Sequence, residues 1–232
     1  MLKKYKGILL FKKINKENDL FIKFLSETDE LINGIVYGGL SNKKRNIFQI
    51  GFYLNIEVKY INNKPASISG ELSEPFISSI LNNKYKINCL MSITSLINIS
   101  IIEGQKVKDI FKISNDFLSK MIVKKKWLRE YFIFLFNLLK IIGYEIDYLN
   151  NKNKYFDLID LQFVDYNSNN SIIFPHNFFA NNQTKIDIVI VYQLFEIFEK
   201  VYIQNHLSNF NLNLPNQYHL FKRLIIQKLK QQ

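Results

Sequence analysis

The stretch Gly34–Gly51, GIVYGGLSNKKRNIFQIG, sets a double glycine (Gly38, Gly39), three consecutive cations (Lys43, Lys44, Arg45) and a closing glycine between two apolar, strand-like runs. Glycine supplies the backbone freedom that a tight turn needs. Adjacent cations on such a turn attract phosphate, and nothing beside them would break a bond. The pattern predicts a compact, positively charged loop on a small β-barrel.

Working outward, strand-like runs occur at residues 5–14, 19–25, 33–37, 52–60 and 66–72. In the fourth, Leu54, Ile56, Val58 and Tyr60 point one way and Asn55, Glu57 and Lys59 the other, the period-2 signature of a half-buried strand. The breaks carry turn chemistry: Asn15-Lys16-Glu17-Asn18, Gly38-Gly39 and Asn62-Asn63-Lys64-Pro65. Five short strands in so short a span fit a Greek-key barrel of the oligonucleotide-binding (OB) type.

After Glu74-Pro75 the apolar period becomes helical. Val107, Ile110, Phe111, Phe117, Leu118, Met121 and Ile122 form one stripe; Leu128, Tyr131, Phe132, Leu135, Leu138, Leu139 and Ile142 form another, with Gly143 as its C-cap. Residues 85–101 also read as a helix, apolar nearly all round. Residues 150–182 are polar and Asn-rich, predicting an irregular insertion with short strands at 158–164 and 172–174. Helices resume over 186–205 and 216–230, with Pro215 at a helix start. The expected fold is α+β: a five-stranded OB-type barrel over residues 1–75, then a helical domain over 76–232 with a loop-rich insertion at about 150–182.

Composition bounds the function. The chain has 232 residues, 47% hydrophobic, 15% aromatic and 22% charged, enough for a sizeable core. Its longest nearly uninterrupted apolar run, Tyr131–Leu139 with Asn137 inside it, is too short to span a bilayer, and the N-terminal stretch lacks the pattern of a secretory signal, so the expected location is cytoplasmic, with no membrane partner. Cys89 alone excludes an internal disulfide. The net charge of +11 favours anionic partners, although Lys, Asn, Ile, Phe and Tyr are together the mark of A/T-rich coding, so position counts for more than total. Cations outnumber anions in the first sixty residues, and no acidic residue follows Glu199, whereas Lys222, Arg223, Lys228 and Lys230 do.

Chemistry-bearing sets are scarce. Cys89, His176, His206 and His219 have no metal-ligand spacing, and no Gly-Lys-Ser/Thr follows Gly38-Gly39. There is no Gly-x-Ser-x-Gly. Asp157, Asp160 and Asp165 cluster in the insertion, where a solvated loop face explains them better than Mg²⁺ binding. The reading is a protein without enzymatic activity, cofactor or metal. The expected nucleic-acid-binding residues are Lys12, Lys13, Tyr37, Lys43, Lys44, Arg45 and Phe52, pairing cations with aromatic rings as OB-type barrels do. Phe48, also close by, is better read as core. Lys124-Lys125-Lys126, before the Trp127 helix, fits a nucleic-acid contact and a solvated interhelical turn equally well.

The chain resembles the RecO family of bacterial recombination mediators. The resemblance is carried by Gly7-Ile8-Leu9-Leu10 with Glu17-Asn18-Asp19, and by Val36-Tyr37-Gly38-Gly39-x-Ser41-x-Lys43-x-Arg45 with Gln49-x-Gly51. It continues in Trp127-Leu128-Arg129-x-Tyr131 running to Leu138-Leu139 and Gly143-Tyr144, and in Leu214-Pro215 before Leu220-Phe221. It implies an N-terminal OB domain and a helical domain, in a nucleoid-associated protein that binds single- and double-stranded DNA and anneals complementary strands. It implies work with RecR to load RecA onto strands coated by single-strand-binding protein, whose acidic C-terminal tail the helical domain would hold, with Lys222 and Arg223 as its cations. Some members carry a four-cysteine zinc site in the insertion; this chain has no cysteine there, and Glu145 stands at the family's usual second glycine. The alternative is a generic OB-fold module for single-stranded DNA or RNA without mediator activity.

Overall fold

The computed structural model describes residues 1–74, 76–180 and 186–231. Five strands form a closed barrel in the order β1-β2-β3-β5-β4: β1 (Leu2–Lys16), β2 (Asp19–Ser26), β3 (Leu31–Val36), β4 (Tyr53–Lys59) and β5 (Ser67–Glu74). All neighbours are antiparallel except β3 and β5, which meet in parallel at Ile35 and Ser67. The alternation of β4 holds within the strand, where Leu54, Ile56 and Val58 enter the core and Asn55 and Lys59 face water; Tyr60, expected on the inward row, lies beyond the strand's end and is exposed. Leu9, Leu20, Ile22, Phe24, Ile32, Val36 and Ile68 complete the interior.

One irregularity has consequences for the site. Leu9 pairs with Phe24, but the next pair is Phe11 with Lys23, so Leu10 is a bulge residue. An extra residue reverses the in/out parity of a strand. Beyond the bulge, Lys12 shares the inward row with its partner Ile22, while Phe11 and Lys13 turn outward.

The helix α1 (Lys84–Ser100) begins at Asn83, whose side chain accepts from the N–H groups of Tyr85 and Lys86. Its buried hydroxyls are satisfied within the helix: Thr94 donates to Leu90 O and Ser100 to Leu96 O. Such bonds let an apolar-all-round helix carry buried hydroxyls, whereas the Asn98 side-chain oxygen is enclosed without a partner. The helix α2 (Ile110–Val123) is capped from a distance. Asp29, in the β2–β3 turn at φ +64°, accepts from the N–H groups of Asp109 and Phe111 at 2.9 Å each.

The chain divides into two compact units, Met1–Asn115 and Asp116–Gln232, so the first holds α1 as well as the barrel, and the division falls within α2. The barrel's end, expected at residue 75, falls on a residue outside the described ones.

The second unit contains α3 (Leu128–Ile141), α4 (His176–Ala180), α5 (Ile188–Tyr202) and α6 (Asn216–Lys230). Its centre is aromatic. The ring of Tyr131 meets those of Phe117, Phe132, Phe195 and Phe221 at centroid distances from 4.7 to 6.3 Å. α3 ends as expected at Gly143, with φ +96°. The insertion is more ordered than its composition suggests: β6 (Tyr155–Asp157) lies between β7 (Gln162–Val164) and β8 (Ser171–Ile173). The strand expected over 158–164 starts only at Gln162. Asp157 Oδ1 accepts from Ile159 N and Asp160 N, folding those residues into a turn with Leu161 at φ +53°. The insertion is fastened by rings, Phe174 touching Phe136, Tyr148, Phe163, His176 and Phe179. Arg129 reinforces this by donating to the carbonyls of Phe178 and Phe179. Residues 181 and 182, the end of the expected insertion, lie outside the described residues.

Candidate nucleic-acid interface

The basic segment is a folded plug over one end of the barrel, fixed at both ends. β3 stops at Val36 because the next residues turn. Gly38 adopts φ +61° and donates its N–H to Asp19 Oδ1 at 2.8 Å, Gly39 N donates to Val36 O, and Leu40 N to Asn18 O. Tyr37–Leu40 is thereby sewn to the β1–β2 turn. From Ser41 the chain coils in single turns, with Arg45 N donating to Ser41 O and Phe48 N to Lys44 O. That near-helical spacing puts Leu40, Ile47 and Phe48 underneath, with Phe48 fully buried in the barrel core. The opposite face presents Lys43 and Arg45, both exposed, and Lys44, half-buried with its Nζ donating to Tyr37 O at 2.8 Å. The segment closes at Gly51, where φ is +85° and an added Cβ would lie 2.6 Å from Leu90. Only glycine meets both demands.

The expected binding residues therefore separate into two groups. Tyr37, 51% exposed, stands with Lys43, Lys44 and Arg45 on the outward side of the plug. Lys13 is exposed on β1, its Nζ 5.2 Å from the centre of the Phe21 ring. Lys12 and Phe52 are occupied in holding the plug down. Lys12, turned inward by the bulge, donates from Nζ to Phe48 O at 2.9 Å and to Gln49 Oε1 at 2.7 Å, and burial pushes its pKa down. Phe52 is half-buried against the barrel core. Asp19 and Gln49 also position this segment: Gln49 reaches back through Nε2 to Arg45 O. Neither stands out in the sequence, because each acts through a partner many residues away or through a main-chain carbonyl.

In the second unit, Lys222 and Arg223 part company although adjacent. Lys222 Nζ lies 2.7 and 2.8 Å from the two carboxylate oxygens of Glu199, over the Phe195 ring, while Arg223 is exposed. Tyr218 donates to the same carboxylate. The run Lys124–Lys126 is also partly engaged. Lys124 donates to Glu130 at 2.6 Å and Lys120 lies 3.3 Å from its other oxygen. Burial alone would raise the Glu130 carboxyl, but these two ammonium groups outweigh it and hold the pKa below the ordinary carboxylate value.

Asp157, one of the three insertion carboxylates, uses its oxygens on the Ile159 and Asp160 N–H groups and the Ser168 hydroxyl. The backbone bonds, that of Asp160 first, hold its pKa down. Among the described residues no group of three or more His, Cys, Asp or Glu is placed to hold a metal ion, and no helix is long and apolar enough to cross a membrane. The Cys89 thiol is wholly buried, which pushes its pKa well up.

No family model matches the sequence. The chain is similar to a curated relative, the DNA repair protein RecO of Rickettsia canadensis (strain McKiel), at 28% identity over 142 residues, 61% of this chain. The match spans 58% of that relative, less than two thirds of its length. This similarity supports the resemblance to the RecO family carried by the sequence motifs, and a barrel followed by helices is the order of elements that resemblance implies.

Proposed function

We propose that this protein acts in DNA repair and recombination as a non-enzymatic mediator. It binds single- and double-stranded DNA, anneals complementary strands coated by single-strand-binding protein, and works with RecR in loading RecA. The observation that carries the reading is the plug: Lys43, Lys44 and Arg45 stand on the outward side of a segment whose other side is anchored by Phe48 in the barrel. Cations held in place on a rigid support can displace the counterions of a phosphate backbone without first being ordered. Annealing requires the mutual repulsion of two phosphate chains to be neutralised, and a fixed cationic surface lowers that barrier. Tyr37 and Lys13 extend the surface, and Lys12 and Phe52 hold it in shape. The helical unit would take the acidic tail of single-strand-binding protein, with Arg223 as the cation open to it. Removal of that tail should then weaken the coating protein's affinity for this chain.

The test is annealing of two complementary DNA strands pre-coated with the cognate single-strand-binding protein, with and without this chain. Acceleration that declines as salt rises is the expected result. Intact DNA binding with no acceleration would leave a generic OB-fold binding module for single-stranded DNA or RNA.

A further inference from the structure

The plug returns to the barrel through residues 48–52, and that return arm is gripped from two sides. β1 grips it with polar bonds: Gly51 N donates to Leu9 O at 2.7 Å, Leu9 N donates to Phe52 O at 3.0 Å, and Lys12 holds Phe48 O and Gln49 Oε1. The other grip is steric. Helix α1 and the 3₁₀ turn before it, Phe76–Ile80, press Leu90 and Ile77 against the Gly51 backbone. A Cβ at Gly51 would stand 2.6 Å from Leu90 Cδ2, 2.9 Å from Leu90 Cδ1 and 2.9 Å from Ile77 Cδ1. Both side chains are sealed in the interior, where close packing resists displacement. Between this hinge and the cations the chain is bonded to itself step by step. Phe52 N donates to Gln49 O, Gln49 Nε2 reaches Arg45 O, and Ile47 N and Phe48 N both donate to Lys44 O. A displacement at Gly51 therefore travels to Lys44 and Arg45, because no slack segment lies between to absorb it.

We propose that Leu90 and Ile77 are positioning residues of the nucleic-acid site: they form the seat on which Gly51 rests, and through it they set where Lys43, Lys44 and Arg45 stand. The inference rests on the reading of the plug as the DNA surface and adds a control of that surface from residues that touch no DNA. Cations on a seated plug meet phosphates already in place. Cations on an unseated plug must be ordered at the moment of binding, which costs affinity. The number of cations is the same in both cases, so the salt slope of binding does not change. The seat also gives Gly51 a purpose beyond its φ of +85°: without a side chain, its backbone admits Leu90 and Ile77 to direct contact. Helix α1 thereby belongs to the site through packing alone.

The experiment is a double-mutant cycle on the full chain with two readouts: hydrogen exchange of the plug amides over residues 44–49, and affinity for an oligo-dT strand at several salt concentrations. Leu90→Ala empties the seat and Gly51→Ala overfills it. Together they restore contact, because the new methyl takes room that the leucine has left. The strain of alanine at φ +85° is the same in both backgrounds and cancels from the cycle. Each single variant is expected to speed exchange in the plug and to lower affinity roughly three- to tenfold at the parent's salt slope. In the Leu90→Ala background, Gly51→Ala should cost less than in the parent, or restore affinity. Should Leu90→Ala fold poorly, Ile77→Val, which removes the Cδ1 methyl facing Gly51, replaces it in the cycle. Additive effects in the exchange readout overturn the seat alone and leave the DNA-binding reading standing. Exchange that couples while affinity keeps the parent's value in every variant overturns the plug as the DNA surface, and the proposal with it.

Discussion

The two basic clusters of this chain look alike in sequence and differ in what their charges are free to do. On the barrel plug, apolar residues point down and cations point out; Lys43 and Arg45 are exposed, and Lys44 directs one donor to a carbonyl, which leaves its charge uncompensated. In the helical unit, Lys222 lies against Glu199, and Lys120 and Lys124 converge on Glu130. A cation paired with a carboxylate adds little to the field seen by a distant phosphate. Net charge therefore overstates the binding surface, because part of the helical unit's cationic charge is held by its own carboxylates.

The largest expected effect tests that contrast directly. Lys43→Ala/Lys44→Ala/Arg45→Ala should weaken DNA binding strongly and reduce the log–log salt slope by ~0.7–0.9 for each phosphate the variant no longer neutralises. Lys222→Ala/Arg223→Ala should change the slope by no more than about one phosphate's worth, because only Arg223 is unpaired by Glu199. Fluorescence anisotropy titrations at several salt concentrations compare the two. Equal slopes in both variants would erase the distinction between displayed and paired charge.

A smaller effect concerns the stability of the paired side. The folded-state pKa of Glu130 lies below the unfolded value near 4.5. Its contribution is thus fully present above that value and is lost as pH falls through the lower, folded one. Glu130→Gln should cost about 1–2 kcal/mol at neutral pH, because the side chain is largely buried while its lysines remain about half in water. The cost should shrink in acid, so the variant's stability profile below pH ~5 runs flatter than the parent's. Urea denaturation across that range measures it, and parallel profiles would mean that the cluster does not couple to folding.

These contrasts also mark what the sequence can carry. Alternation in β4, helical stripes in α2 and α3 and the glycine after α3 were legible because each is a local periodicity that burial enforces. Pairing of lysines with Glu130 and Glu199 was not, since it depends on which helix faces meet. Nor was β6, a three-residue strand held by partners on both sides, β7 and β8, that lie further along the chain. On the plug, the run of cations at 43–45 was legible in the sequence, and its outward display follows from the apolar residues on the other side of the segment. The role of Lys12 was hidden by the bulge at Leu10, which leaves no mark in composition yet inverts the side chains that follow it on β1 up to the next register shift, after Ile14.

Lys12 gives the finest test, because it separates holding the plug from touching DNA. Lys12→Met keeps the unbranched stem and deletes the ammonium, leaving Phe48 O and Gln49 Oε1 without that donor. Deleting a charge-assisted bond at a half-buried carbonyl should cost about 1 kcal/mol of stability. The cation it removes lies on the inward row, so the salt slope of DNA binding should stay that of the parent, and affinity should fall only as far as a looser plug blurs the placement of Lys43 and Arg45. A thermal melt and a salt titration on the same sample read both quantities. A slope reduced by a full phosphate, with stability intact, would put Lys12 on the DNA and make the bulge a device for aiming it there; the predicted opposite makes it the rivet by which the barrel interior fixes a charged surface.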